Sequence, residues 1–128
     1  MKARGSAARH RRQRAQRCGR AAEWLCAWHL RLRGWRIVAR GWRCPSGEID
    51  ILARRGKVLA VVEVKSRDEI AAAAAALAPR QRRRIVRAAQ AFLLSRPDLA
   101  GLDLRFDVML VAPLRLPRHW PSAWRADN

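Results

Sequence analysis

The chain predicts an α/β fold, a central mixed sheet of about four strands flanked by helices, in the order helix, three strands, helix, strand. Three observations carry this expectation. Two segments repeat apolar residues at spacings of three and four, the period of an amphipathic helix. Short β-branched runs lie between and after them. A Gly-Lys pair stands midway between two of those runs, where a hairpin turn belongs. At 128 residues the chain suffices for one compact domain, so residues 18–128 are read as a single domain behind a basic tail, residues 1–17, expected to be disordered.

Residues 17–33 read as the first helix, ended by Gly34. Ala21, Trp24, Leu25, Trp28 and Leu32 form its apolar face. Gly19, Glu23, Cys26 and Leu30 form a second stripe, which places one carboxylate among small and apolar neighbours on a helix expected to be largely buried. Residues 36–40 follow as a short strand and residues 41–47 as a loop. The next two strands hold Ile49-Asp50-Ile51-Leu52 and Val58 to Lys65. With Gly56 and Lys57 as the turn, Arg55 faces Val58, and counting back places Asp50 opposite Glu63 and Glu48 opposite Lys65.

Residues 66–78 contain six consecutive alanines; propensity favours helix, but no packing pattern accompanies it, and a mobile loop remains open. Pro79 suits the first turn of a second helix over 80–95, with Gln81, Ile85, Ala88 and Phe92 on one stripe and Arg80, Arg83, Arg84 and Arg87 on the other side. Residues 104–112 form the last strand, brought into the same sheet by a crossover through that helix. Residues 117–128 are expected to wrap the domain edge.

Composition narrows the partners. Twenty-eight Lys and Arg against 10 Asp and Glu give a formal charge of +18. The tail holds seven of the cations and no acid, leaving 21 cations against 10 acids in the remainder, so the domain is basic by itself. Such a surplus favours polyanions, above all nucleic acid. Three cysteines without a Cys-x-x-Cys pair support neither a disulfide framework nor a structural zinc site, and fit a reducing cytosol. No apolar run is long enough to span a bilayer, so no membrane partner is expected.

Asp50 and Glu63 are charges set in apolar strand runs, and like charges facing each other across an antiparallel pair are destabilising. A hard divalent cation held by oxygen ligands is the natural compensation, with Lys65 projecting from the same face as a point charge. The bland alternative is a set of structural ion pairs, and it needs three unrelated charges to converge at one hairpin end. Asp107, alternating with apolar residues, reads as the structural partner of a buried arginine. The histidines, His10, His29 and His119, have no nucleophile beside them.

Asp50 followed one hairpin later by Glu63-Val64-Lys65 resembles the PD-(D/E)xK nuclease signature, with Gly47-Glu48-Ile49-Asp50 where that superfamily has Pro-Asp. Gly19-x-x-x-Glu23, the Gly47 to Leu52 segment, Val62 to Arg67 and Arg105-Phe106-Asp107-Val108 resemble the YraN family of bacterial proteins, uncharacterised protein family 0102, over about residues 17–125. The resemblance implies a restriction-endonuclease-like fold similar to archaeal Holliday junction resolvases.

The expectation that follows is a cytoplasmic, metal-dependent nuclease hydrolysing phosphodiester bonds in DNA, with branched DNA as one candidate substrate. Asp50, Glu63 and the Val64 carbonyl would hold Mg²⁺ or Mn²⁺, with Glu23 fixing a water or completing a second metal position, and Lys65 would stabilise developing charge. Arg80, Arg83, Arg84, Arg87 and Trp42 would contact nucleic acid, and Glu48 and Gln81 would support the ligands. A homodimer is left open, since a four-way junction has two-fold symmetry. The alternative is a non-catalytic nucleic-acid-binding protein with a structural carboxylate and lysine cluster. Two departures from the family pattern are the alanine run and the absence of tyrosine, with Trp24 and Phe92 where relatives often carry an aromatic hydroxyl.

Overall fold

The computed structural model describes residues 19–66 and 79–126, so the tail and the alanine run lie outside the described residues. Helix α1 spans residues 19–32. It is followed by β1 (Arg36–Cys44), β2 (Gly47–Arg55), β3 (Val58–Ser66), α2 (Pro79–Ser95), a single 3-10 turn at Pro97–Leu99, β4 (Asp103–Val111) and β5 (Arg118–Trp124). The five strands lie side by side in chain order. All neighbours are antiparallel except β3 and β4, which are parallel across the α2 crossover.

Two apolar clusters, one on each side of the sheet, make this a helix, sheet, helix sandwich. Ile85, Ala88, Ala89 and Phe92 of α2 pack on Leu52, Leu59, Val61, Phe106 and Trp124. Cys26, Ala27 and Leu30 of α1 pack with Trp35 on Ile51, Ala53, Ala60, Val62 and Met109. β3 and β4 alternate regularly between the two clusters, as period-two strands covered on both faces do. The α2 stripe is the one the sequence predicts, and Arg80, Arg83, Arg84 and Arg87 are exposed on its other side. No helix among the described residues is long and apolar enough to cross a membrane.

The hairpin turn falls where expected: Arg55 pairs with Val58, and Gly56 carries the turn's positive φ of 61°. Helix α1 ends at Gly34, with Gly34 N–H donating to the Arg31 carbonyl at 3.1 Å and Trp35 N–H to the Leu30 carbonyl at 3.0 Å, a Schellman closure.

Four expectations are corrected. The sheet has five strands rather than four, because residues 118–124 pair with β4, from Phe106 opposite Trp124 to Leu110 opposite Arg118. Pro121 disguises that strand, and it is tolerated because β5 lies at the sheet edge, where a missing donor breaks no ladder. Strand β1 runs on to Cys44 instead of stopping at Arg40, with a register shift between Ile37 and Ala39. The buried face of α1 is the second stripe: Cys26, Ala27 and Leu30 are fully buried, while Trp24, Leu25, Trp28 and Leu32 are exposed. Glu48 does not meet Lys65; its Oε1 lies 3.4 Å from Nε of Arg43, its register partner on β1.

Candidate active site

Asp50 stands where the alternation of β2 slips. Ile49 packs in the cluster under α2, yet Ile51, two residues on, packs in the cluster under α1. The backbone pairing of β2 with β3 runs from Arg55 opposite Val58 to Ile51 opposite Val62. One residue beyond that pair on β2 and two beyond it on β3, the Val64 N–H donates to Asp50 Oδ2 at 2.8 Å, so the aspartate side chain links the two strands where the paired segment ends. β3 is held through this stretch by β4, paired from Val58 opposite Asp103 to Ser66 opposite Val111. The carboxylate end of β3 is thus fixed from one side only, and its other edge is left to side chains.

Glu63 closes the cluster on the α2 side. Its Oε1 lies 3.6 Å from Nζ of Lys65 and 3.5 Å from Nε2 of Gln81, which donates to it from the first turns of α2. Asp50 and Glu63 lie close enough for each to influence the other's ionisation. Burial pushes both carboxyls above their ordinary range; at Asp50 the Val64 N–H offsets part of the shift while the Glu48 charge adds to it, and at Glu63 the Asp50 charge pushes further while the Lys65 ammonium offsets part. Without a cation beside it, Glu63, with its pKa raised to about 8, favours holding its proton at neutral pH.

On the other side of Asp50 a cavity of about 530 Å³ opens between α1 and the β1–β2 hairpin, lined by Gly19, Arg20, Glu23, Arg40, Gly41, Arg43, Glu48 and Asp50. Glu23 has its pKa raised to about 7, first by desolvation and then by the Asp50 charge, with Arg40 pulling the other way. Gly41 has a φ of 57°, and a Cβ there would meet Glu23 Oε1 at 3.7 Å. The glycine therefore allows a backbone turn beside the glutamate that another residue would hold only under strain.

The structure brings Asp50, Glu63, Lys65 and Gln81 together, and places Glu23 in Asp50's cavity. Among the described residues, no three His, Cys, Asp or Glu side chains are grouped closely enough to hold a metal by themselves. Asp50 and Glu63 fit a hard divalent cation all the same, because two neighbouring, partly buried carboxylates are the donor set such an ion takes, completing its shell with carbonyl, water and phosphate oxygens. Arg80, Arg83, Arg84 and Arg87 stay on the exposed side of α2. Trp42 is half-buried and packs edge-on against Phe92 at 5.4 Å, which makes it a packing residue between β1 and α2.

Sequence reasoning missed Arg20, Arg40 and Arg43 in the cavity wall, and no signal marks them in a chain with cations throughout. It also missed His119 and Ser122 as partners of Asp107. This fully buried carboxylate accepts from Arg105 Nε and Nη2 at 2.9 and 2.8 Å, from Ser122 N–H at 3.0 Å, and meets His119 Nε2 at 2.7 Å. Burial alone would raise its pKa, but the hydrogen bonds from His119, Arg105 and Ser122 outweigh it and hold the group below its ordinary range. Arg105 is the structural arginine partner that Asp107 was expected to have. His119 and Ser122 come from β5, so the carboxylate also ties the edge strand down.

Comparison with known proteins finds relatives over most of the chain. Residues 22–111 match the model of the Uncharacterised protein family UPF0102. A UPF0102 protein of Parvibaculum lavamentivorans is 57% identical over 87% of this chain and 84% of its own length. One of Paramagnetospirillum magneticum is 54% identical over 90% of this chain and 92% of its own, and one of Rhodopseudomonas palustris is 51% identical over 85% and 83%.

Proposed function

The chain belongs to the UPF0102 family, and from that premise and the geometry above we propose that it is a metal-dependent nuclease of restriction-endonuclease-like fold, acting on DNA in the bacterial cytoplasm. The observation that carries the reading is the convergence of three charges where the β2–β3 pairing ends: Asp50, held by the Val64 N–H at 2.8 Å, beside Glu63 and Lys65, themselves 3.6 Å apart. Asp50 and Glu63, with the Val64 carbonyl, would hold Mg²⁺ or Mn²⁺. The ion, when bound, supplies Lewis-acid polarisation of a phosphoryl oxygen and a water that loses its proton near neutral pH.

The chain's own residues do the rest. Val64 N–H fixes the Asp50 carboxylate, and Gln81 fixes Glu63 from the opposite layer, so both oxygens are oriented before substrate arrives. Lys65 places a positive charge where negative charge develops at phosphorus, a contribution that grows toward the transition state. Glu23, with a pKa near neutrality, can accept a proton at the cavity side of Asp50. Arg20 and Arg40 line the same cavity, where they could meet a phosphate, while Arg43 is paired with Glu48.

The test is a cleavage screen over linear, nicked, flapped and four-way DNA with Mg²⁺ or Mn²⁺, comparing the natural protein with Asp50→Ala. Divalent-dependent cleavage lost in the variant supports the proposal; an equal trace in both sinks it. The Lys65–Glu63 ion pair favours one second reading, a non-catalytic nucleic-acid-binding protein in which this cluster is structural. That protein would bind DNA with strong salt dependence and cleave none of it.

A further inference from the structure

Helix α1 turns its aromatic residues outward. Trp24 and Trp28 are 51% and 46% exposed, and with Arg20 they fall at successive four-residue steps on one stripe, which continues to Arg31 and Leu32. The rings lie edge-to-face at 6.2 Å, and the Arg31 guanidinium stands 5.2 Å from the Trp28 ring centre. At its N-terminal end the same helix supplies Gly19, Arg20 and Glu23 to the cavity beside Asp50. The stripe therefore leads from the cavity outward, rising about 6 Å per step.

Two large half-exposed indoles are costly to leave in water unless something covers them. The charges around them select what that is. Arg20, Arg31 and Arg33 are the exposed ionisable residues on and just after α1, and none of its exposed residues is acidic. A second copy docked by two-fold symmetry would set this cationic stripe against itself, which opposes self-association. A polyanion with flat apolar faces meets both requirements, and that is the chemistry of a nucleic-acid strand with unpaired bases.

We infer that the outward stripe of α1 is a binding subsite for single-stranded nucleic acid, in which bases stack on Trp24 and Trp28 while Arg20 and Arg31 contact phosphates. The subsite deepens the nuclease reading, on which it rests for what happens to the strand once it reaches Asp50. A duplex offers no free base face to the indoles, so the site's preferred substrate carries a single-stranded segment at its mouth, as a flap or an open branch does.

The experiment measures binding without divalent ions, by fluorescence anisotropy of a labelled oligothymidylate and of a hairpin duplex of equal length. The proteins are the full natural chain, Trp24→Leu, Trp28→Leu and Trp24→Phe. Half-exposed side chains can be shortened without emptying the core, and a melting curve for each variant checks that it folds. Each leucine variant should bind the oligothymidylate more weakly by on the order of tenfold, with duplex binding changed far less, and Trp24→Phe should recover most of the loss. Equal weakening for both DNAs, or none for either, overturns the inference. So does a natural protein that sediments as a dimer which the leucine variants dissolve, since the face would then belong to a second copy. Cleavage by the natural protein and Asp50→Ala is scored separately: stacking can fail while divalent-dependent cleavage stands, and cleavage can be absent while the single-strand preference persists.

Discussion

Val64 N–H donates to Oδ2 of Asp50 at 2.8 Å, across two strands whose backbone pairing ends at Ile51 and Val62. One carboxylate oxygen of Asp50 is thereby committed to fold, and the side chain stands already oriented at the end of the pairing, near Glu63. This preorganisation implies a cost. Two acids held together without a cation repel, so the metal-free site should be a weak point in the domain.

The first prediction concerns that repulsion. Asp50→Asn and Glu63→Gln should each abolish divalent binding, read as loss of the heat signal in a calorimetric titration, while the domain stays folded. Asparagine keeps an oxygen that can accept from Val64 N–H, so the β2–β3 junction survives in Asp50→Asn. Both variants should melt at or above the temperature of the metal-free natural protein. Unchanged metal affinity in both would mean that the pair is not the ligand set.

A pH dependence follows from the same groups. The glutamates ionise near 4.5 when unfolded, but in the fold Glu23 holds its proton to about 7 and Glu63 to about 8. Between those limits the folded state binds more protons than the unfolded state, so stability is fully present below about 4.5 and declines as pH rises to about 8. Melting temperatures of the metal-free protein should therefore fall across this window. Glu63→Gln should flatten the decline, and saturating Mg²⁺ should reverse part of it. A melting temperature that climbs with pH across the window in the metal-free protein would contradict the assignment.

Asp107 is the converse case, a buried carboxylate with its donors in place. Asp107→Ala would leave Arg105 and His119 facing each other without an acceptor and release Ser122 N–H, so it should cost about 3–5 kcal/mol, as breaking a buried charged network does. Asp107→Asn should cost less. Chemical denaturation reads both. The loss should begin at β5, with amide exchange in residues 118–124 rising first, because two of the four contacts reach that strand.

How far the sequence disclosed this architecture varies with how local the signal is. The β2–β3 register was legible because Gly56 and Lys57 fix it and every pair down to Ile51 and Val62 follows by counting. The α2 stripe was legible because Ile85, Ala88 and Phe92 alternate with arginines. The burial of α1 was not, since Trp24 and Trp28 outweigh Cys26 and Ala27 in hydrophobicity, yet the small residues are the ones that let the helix lie close on the sheet. Strand β5 was hidden by Pro121 and by its dependence on Asp107, fifteen residues from Ser122 and silent in any local window. At the site, Asp50, Glu63 and Lys65 were found because charges in apolar strands stand out. Arg20, Arg40 and Arg43 were not, because an arginine among 28 cations does not.

The exposed cations of α2 yield a prediction about binding alone. Replacing Arg80, Arg83, Arg84 and Arg87 by alanine should weaken DNA binding and flatten its salt dependence by up to about 0.9 in logarithmic slope for each phosphate contact removed. Binding isotherms over a range of salt concentrations measure this. An unchanged slope would place the phosphate path elsewhere on the basic surface.

Lys65 separates the catalytic reading from the structural one most sharply. Its Nζ lies 3.6 Å from Glu63 Oε1, and both side chains are largely buried, so a purely structural role is a real competitor. A catalytic Lys65 acts on charge that exists only in the transition state. Lys65→Ala should then retain DNA and Mg²⁺ binding and lose single-turnover cleavage by on the order of a hundredfold or more. A structural Lys65 would instead cost stability on removal, because Glu63 would lose a compensating charge, and would leave any cleavage intact. Lys65→Arg distinguishes further: a planar guanidinium restores charge beside Glu63 and hence much of the stability, but neither fits the point-charge position nor releases a proton near neutral pH, so cleavage should stay low. Rates and melting temperatures are to be measured together on both variants. Full cleavage in either, with a lowered melting temperature, would remove Lys65 from the mechanism and favour the non-catalytic protein.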